Sequence, residues 1–165
     1  MAQTKLGENI VNTIGELPAV GSTLPAFTLT GADMSQVSSA QFAGKKLILN
    51  IFPSIDTGIC SASVRQFKQR AAATPGTTVL CVSRDLPFAL KRFCGAEGIT
   101  NVITATDFRH QGFGKDFGVE LIDGNLRGLF ARCVIVADEN GKVIHSQLVP
   151  AVGQEPDYDA AYAAL

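Results

Sequence analysis

The sequence predicts an α/β fold, a mixed central sheet with helices on both faces. Three observations lead there. Strand-like and helix-like segments alternate through the middle of the chain, the order that builds parallel strand pairs joined by helical crossovers. Asn140-Gly141, a strong hairpin signal, then separates the last two strand-like runs, which must lie antiparallel. The 165 residues, 46% of them hydrophobic and 18% charged, suffice for a core without disulfide staples. One domain spanning residues 1–165 is expected.

The elements follow from local pattern. Residues 4–14 read as a small N-terminal β-hairpin, and the Gly and Pro residues between Leu17 and Pro25 as an irregular connection. Residues 27–30, 46–52, 77–83, 101–105, 130–137 and 142–148 read as strands from their length, β-branched content and flanking turn residues. Residues 59–73 carry an apolar stripe at Cys60, Val64, Phe67 and Ala71, with Arg65, Gln66, Lys68 and Gln69 off that face, which predicts an amphipathic helix. Residues 86–94 form a shorter helix opening near Pro87 and stopped by Gly95. Residues 109–117 and 157–165, the latter preceded by Pro156, complete the set.

Charge and composition exclude several classes. Fourteen Lys and Arg against fifteen Asp and Glu leave a net charge of −1 and no basic cluster, so a nucleic-acid partner has no electrostatic footprint. No apolar run approaches the ~20 residues of a spanning helix, which argues against a membrane partner. The first ten residues lack the apolar segment of a secretory signal, and a cytoplasmic location is expected. The four cysteines, Cys60, Cys81, Cys94 and Cys133, make no C-x-x-C pair and no zinc spacing, so no metal is expected and each thiol is judged alone.

The run from Leu47 to Cys60 carries the chemistry. A buried strand ends at Phe52, Pro53 stops sheet pairing, and a short turn leads into a helix capped by Thr57. Gly58, Ile59 and Cys60 then take the first three helical positions, whose amide N–H groups have no partner within the helix. A thiol there feels the positive end of the helix, which favours the reactive thiolate. A core role stays open beside this, because Cys60 shares its stripe with Val64 and Phe67.

Arg132 adds weight to the reactive reading. Alternation along 130–136 sets it on the face of Phe130 and Val134, where a guanidinium is costly unless paired with an anion. Asp56, Glu120 or a thiolate at Cys60 could each serve. Cys94, near the expected helix end at Gly95, has the freedom of a fraying last turn that a resolving thiol needs; a chance cysteine beside Phe93 is the alternative. Cys81 and Cys133 lie inside strands among Val, Leu and Ile and read as core.

Pro53-x-x-x-Thr57-x-x-Cys60 matches the active-site motif of the peroxiredoxins. The strings Asn50-Ile-Phe-Pro-Ser-Ile-Asp-Thr-Gly-Ile-Cys60, Asp85-Leu-Pro-Phe-Ala and Arg92-Phe-Cys-Gly-Ala-Glu-Gly98 resemble the bacterial thiol peroxidases, the atypical two-cysteine branch of that family. The likeness runs on through Gly128-Leu-Phe-Ala-Arg132 to Glu155-Pro-Asp-Tyr-Asp159. It implies a thioredoxin-like fold with an N-terminal β-hairpin, a homodimer, and reduction of hydrogen peroxide and organic hydroperoxides. It maps the peroxidatic role onto Cys60 and the resolving role onto Cys94, with Thr57 and Arg132 orienting the peroxide and Pro53 shielding the pocket. Recycling of a Cys60–Cys94 disulfide by thioredoxin, with no cofactor, completes what the resemblance implies.

Three other readings are weaker. A Cys–His hydrolase needs a histidine base, and only His110 and His145 are available, neither in a known signature. A redox-sensing binding module would use the disulfide without turnover, and a general disulfide oxidoreductase lacks its C-x-x-C. Gly112-Phe-Gly-Lys-Asp-Phe-Gly118 has the wrong glycine spacing for a dinucleotide turn, and its Asp116-Phe-Gly triplet stands without other kinase motifs.

Overall fold

Alternation of large apolar residues drives the architecture. In the computed structural model, which describes residues Met1–Leu165, seven strands form one mixed sheet and two more form a separate hairpin. The hairpin comprises β1 (Gln3–Leu6) and β2 (Asn9–Asn12), turned at Gly7 with φ +62°, a conformation glycine adopts without strain. The sheet comprises β3 (Thr28–Gly31), β4 (Gln36–Ser38), β5 (Lys46–Ile51), β6 (Thr77–Ser83), β7 (Ile103–Thr106), β8 (Cys133–Ala137) and β9 (Val143–Leu148). Their spatial order is β4-β3-β7-β6-β5-β8-β9. The β5–β6 and β6–β7 pairs are parallel, and every other pair is antiparallel.

Helices α1 (Gly58–Ala72), α2 (Pro87–Glu97) and α4 (Tyr158–Ala163) cover one face, closing a core around Ile48, Val79, Cys81, Val134 and Val136. The short α3 (Phe113–Asp116) and the approach to β3 cover the other, around Leu49, Ile51, Leu80, Cys133 and Ile135. β5, β6 and β8 thus divide their odd and even residues between two cores, as period two requires. The predicted mixed sheet, flanking helices and N-terminal hairpin are all present, in a thioredoxin-like arrangement.

One additional strand and three shifted boundaries are the main departures from the sequence reading. β4 was not expected: it is three residues at the sheet edge, folded back on β3 through a turn at Asp33–Ser35, too short to display a period. The third helix spans four residues rather than nine, because Gly112 and Gly118 flank it, Gly114 lies inside it, and each weakens a helix. α2 does not stop at Gly95 but continues to Glu97. Its end is set by Gly98 in the left-handed conformation, φ +61°, with the Cys94 carbonyl accepting from the N–H groups of both Gly98 and Ile99.

β8 begins at Cys133, not Phe130. Residues 129–131 pair instead with 119–121, Leu121 N–H donating to Leu129 O at 2.9 Å and Ala131 N–H to Val119 O at 2.8 Å. The chain kinks there before entering the sheet.

Candidate active site

The end of β5 and the start of α1 build the site. Phe52 N–H still donates to Val82 O at 3.1 Å, Pro53 has no N–H to offer, and the chain turns over residues 53–57. Thr57 takes an extended conformation, φ −95° and ψ 145°, and its hydroxyl accepts from Cys60 N–H at 3.4 Å while donating to Ser54 O at 3.2 Å. Gly58, Ile59 and Cys60 open the helix as expected. The Cys60 residue is 0% exposed, within the core that includes Phe52, Ile55 and Val64. Hydrocarbon is not its only surrounding: Arg132 Nη2 donates to Cys60 Sγ at 3.2 Å. A buried cation at the start of a helix therefore faces the sulfur, and both stabilise negative charge on it.

Arg132 is 2% exposed, just ahead of β8, and it lies on the Cys60 face together with Val134. Phe130 does not share that face; it packs against Phe113 in the opposite core, because the kink at 129–131 breaks the alternation. Neither carboxylate suggested for Arg132 touches it. Asp56 pairs with Arg92, and Glu120 with Arg84. Arg132 Nε instead donates to Val152 O at 2.8 Å, and Nη1 has no protein partner.

Val152 is itself held by the N-terminal hairpin. Its N–H donates to Lys5 O at 2.8 Å, Lys5 N–H donates to Pro150 O at 3.0 Å, and the buried Thr4 hydroxyl donates to Val149 O at 2.8 Å.

A cleft of about 220 Å³ opens over these groups, with Pro53, Thr57 and Arg132 in its lining beside Leu6, Leu126 and Leu129. No histidine lines it, so the hydrolase reading loses its base. Nor do three His, Cys, Asp or Glu side chains converge anywhere as a metal-holding group. The structure thus brings Cys60, Thr57, Pro53 and Arg132 together.

It does not bring Cys94 to them. Cys94 is a partly buried free thiol on the inner side of α2, with Thr104 Oγ1 3.6 Å from its sulfur, and it lines two other clefts that share no residue with the first. Cys81 and Cys133 are fully buried, as expected for core residues. Burial pushes the Cys81 thiol up to about 12, although Asn50 Nδ2 donates to it, and pushes Cys133 further up.

Asp85 is the feature that pattern reading passed over. Its carboxylate accepts from Ser54 Oγ at 2.7 Å, Ile55 N–H at 2.7 Å and Ser83 Oγ at 2.6 Å, tying the 53–57 turn to the loop that leads into α2. The Asp85-Leu-Pro-Phe-Ala string was the available signal, but no spacing rule connects it to Ser54.

Comparison with known proteins places this geometry. A family model described as Redoxin matches residues 19–162. Over all 165 residues, the chain is 59% identical to thiol peroxidase of Mycobacterium tuberculosis (strain ATCC 25618 / H37Rv), covering 99% of that protein. The chain belongs to the redoxin family, among the thiol peroxidases. Thiol peroxidase of Corynebacterium glutamicum is 56% identical over the same full length, again with 99% of that protein covered. The crystal structure of a peroxiredoxin-like protein from Aquifex aeolicus superposes with a TM-score of 0.93 at 34% identity, covering 99% of this chain and 96% of that one. This redoxin's β1–β2 hairpin lies outside the matched residues 19–162, yet it supports the carbonyl that holds Arg132.

Proposed function

We propose that this enzyme, a thiol-dependent peroxidase, breaks the peroxide bond with the sulfur of Cys60 and resolves the product with Cys94. The observation that carries the assignment is the 3.2 Å contact between Arg132 Nη2 and Cys60 Sγ, made by a guanidinium that is 2% exposed. A buried arginine needs a charge partner, and a thiolate at Cys60 supplies one.

In the first step the thiolate attacks one peroxide oxygen. The O–O bond breaks, its electron pair leaves with the second oxygen, and that oxygen takes a proton to depart as water or an alcohol. Sulfur is oxidised to a sulfenic acid. Arg132, with Nη1 uncommitted to protein, is the donor for the oxygens as charge spreads along that bond, and the Thr57 hydroxyl joins it by turning its hydrogen from Ser54 O to the peroxide. Pro53 shields the pocket, and the Leu6, Leu126 and Leu129 side chains suit the organic part of a hydroperoxide.

The second step joins the Cys60 sulfenic acid to the Cys94 thiol, 34 residues on, with loss of water. Cys60 is fully buried, and Cys94 lines clefts that share no residue with the one over Pro53, Thr57 and Arg132, so α2 must open for the two thiols to meet. A thioredoxin then returns the pair to thiols by exchange, with no cofactor in the cycle. The chain works as one domain, a homodimer in the cytoplasm; no helix is long and apolar enough to cross a membrane.

Intact mass before and after one equivalent of peroxide tests the assignment. The wild type should lose two mass units on forming an intramolecular disulfide, about the mass of two hydrogens. Cys94→Ser should gain one oxygen as a sulfenic acid, and Cys60→Ser should show no peroxide turnover. Full turnover by Cys60→Ser rejects the reading.

A further inference from the structure

We infer that Asp85 is a positioning residue for the peroxide step, holding the 53–57 turn so that the Thr57 cap and the first turn of α1 stand against Arg132. The inference rests on Cys60 being the reacting thiol.

The turn has few bonds of its own. Ser54 is its pivot: Ser54 Oγ accepts from Asp56 N–H at 3.2 Å, and Ser54 O accepts from Thr57 N–H at 3.2 Å and from the Thr57 hydroxyl at 3.2 Å. Asp85 holds that pivot by accepting from Ser54 Oγ on one oxygen, and it holds Ile55 by accepting from its N–H on the other. Ser83, the last residue of β6, donates to that second oxygen and fixes the carboxylate to the sheet. An uninterrupted path therefore runs from the sheet through Asp85 and Ser54 to Thr57, whose hydroxyl accepts from the amide of Cys60. Ile55 is 2% exposed, so its N–H, freed from Asp85, has little access to water. The turn would then settle elsewhere and carry the cap with it.

The chemistry predicts how substitutions differ. An amide at position 85 keeps one carbonyl oxygen for Ile55 N–H and can donate its own hydrogen to Ser54 Oγ, since a hydroxyl accepts as readily as it donates. Alanine keeps neither contact. Steady-state kinetics with a hydroperoxide and a thioredoxin system separate the two half-reactions. Asp85→Ala should lower kcat/KM for the hydroperoxide by about tenfold or more, the size expected when a reacting group moves by a fraction of an ångström. The kcat/KM for the reductant should stay within about twofold, and Asp85→Asn should recover most of the loss.

Ser54→Ala removes one of the two contacts to the turn and should give an intermediate fall, which keeps the test decisive if Asp85→Ala does not fold. Circular dichroism at the assay temperature establishes which variants are folded. A folded Asp85→Ala with the wild-type constant for hydroperoxide overturns the inference, as does an equal fall in both constants or the absence of any recovery in Asp85→Asn. If Cys60→Ser remains active, the fault lies with the thiol assignment instead.

Discussion

Arg132 spends one guanidinium on two tasks: Nε grips the Val152 carbonyl, and Nη2 reaches the Cys60 sulfur. A lysine cannot do both, because its single ammonium lacks the planar fork that sets two donors at fixed separation. Arg132→Lys should therefore slow reaction with hydroperoxide by about 100-fold or more, the cost typical of a lost transition-state donor. Stopped-flow oxidation of the reduced enzyme measures it, and a rate within a few-fold of wild type would show that charge alone suffices. This residue was legible for a partly mistaken reason. The cost of burying a guanidinium singled it out correctly, but the face shared with Phe130 does not exist, because pairing of 129–131 with 119–121 is a tertiary event that no period reveals. The Thr57 cap and the place of Cys60 in the first helical turn were read correctly because an N-cap is a local device, complete within four residues.

At the scale of an element, α2 is the part that the proposed Cys60–Cys94 disulfide requires to move, and two clips keep it closed. The Cys94 carbonyl accepts the bonds that end the helix at Gly98 and Ile99, so displacing this cysteine undoes the helix terminus with it. Arg65 on α1 forks onto both carboxylate oxygens of Glu97, each at 2.9 Å, while Lys68 donates to Glu97 O at 3.1 Å. Arg65→Ala should speed the conversion of the Cys60 sulfenic acid to the disulfide by about two- to fivefold, a modest gain suited to an exposed ion pair. Rapid-quench mass analysis follows that step, and an unchanged rate would mean that the fork does not resist opening. The Arg65 fork holds the Glu97 carboxyl below its ordinary range, so the clip persists through that range and is lost only as pH falls through the lowered value beneath it. The sequence placed the helix end three residues early: Gly95 and Gly98 are equally good stops on paper, and only the capping bonds decide between them.

For the molecule as a whole, His145 on β9 sets an acid limit. Burial pushes its imidazole below the usual range, an effect the Asp157 carboxylate only partly offsets, and its buried Nε2 has no partner. The unfolded chain takes up this proton near pH 6.5, whereas the native protein takes it up only at lower pH. Stability is therefore undiminished above 6.5 and declines as pH falls below it. Urea unfolding at pH 7.5 and 5.5 should show a larger loss for the wild type than for His145→Gln, and equal losses would remove His145 as the cause. Most of the sheet was readable at this scale, since two cores demand strict alternation; the edge strand β4, too short to display a period, and the bonds from Ser54 and Ile55 to the distant Asp85 were not. The β1–β2 hairpin was readable as a hairpin but not as a brace. Removing residues 1–18, which precede the part matched by the family model, would leave all seven sheet strands in the sequence and take away the prop beneath the arginine's carbonyl anchor. If Arg132 works as proposed, such a chain would keep its sheet and be crippled as a catalyst, and the first dozen residues would be part of the enzyme rather than its wrapping.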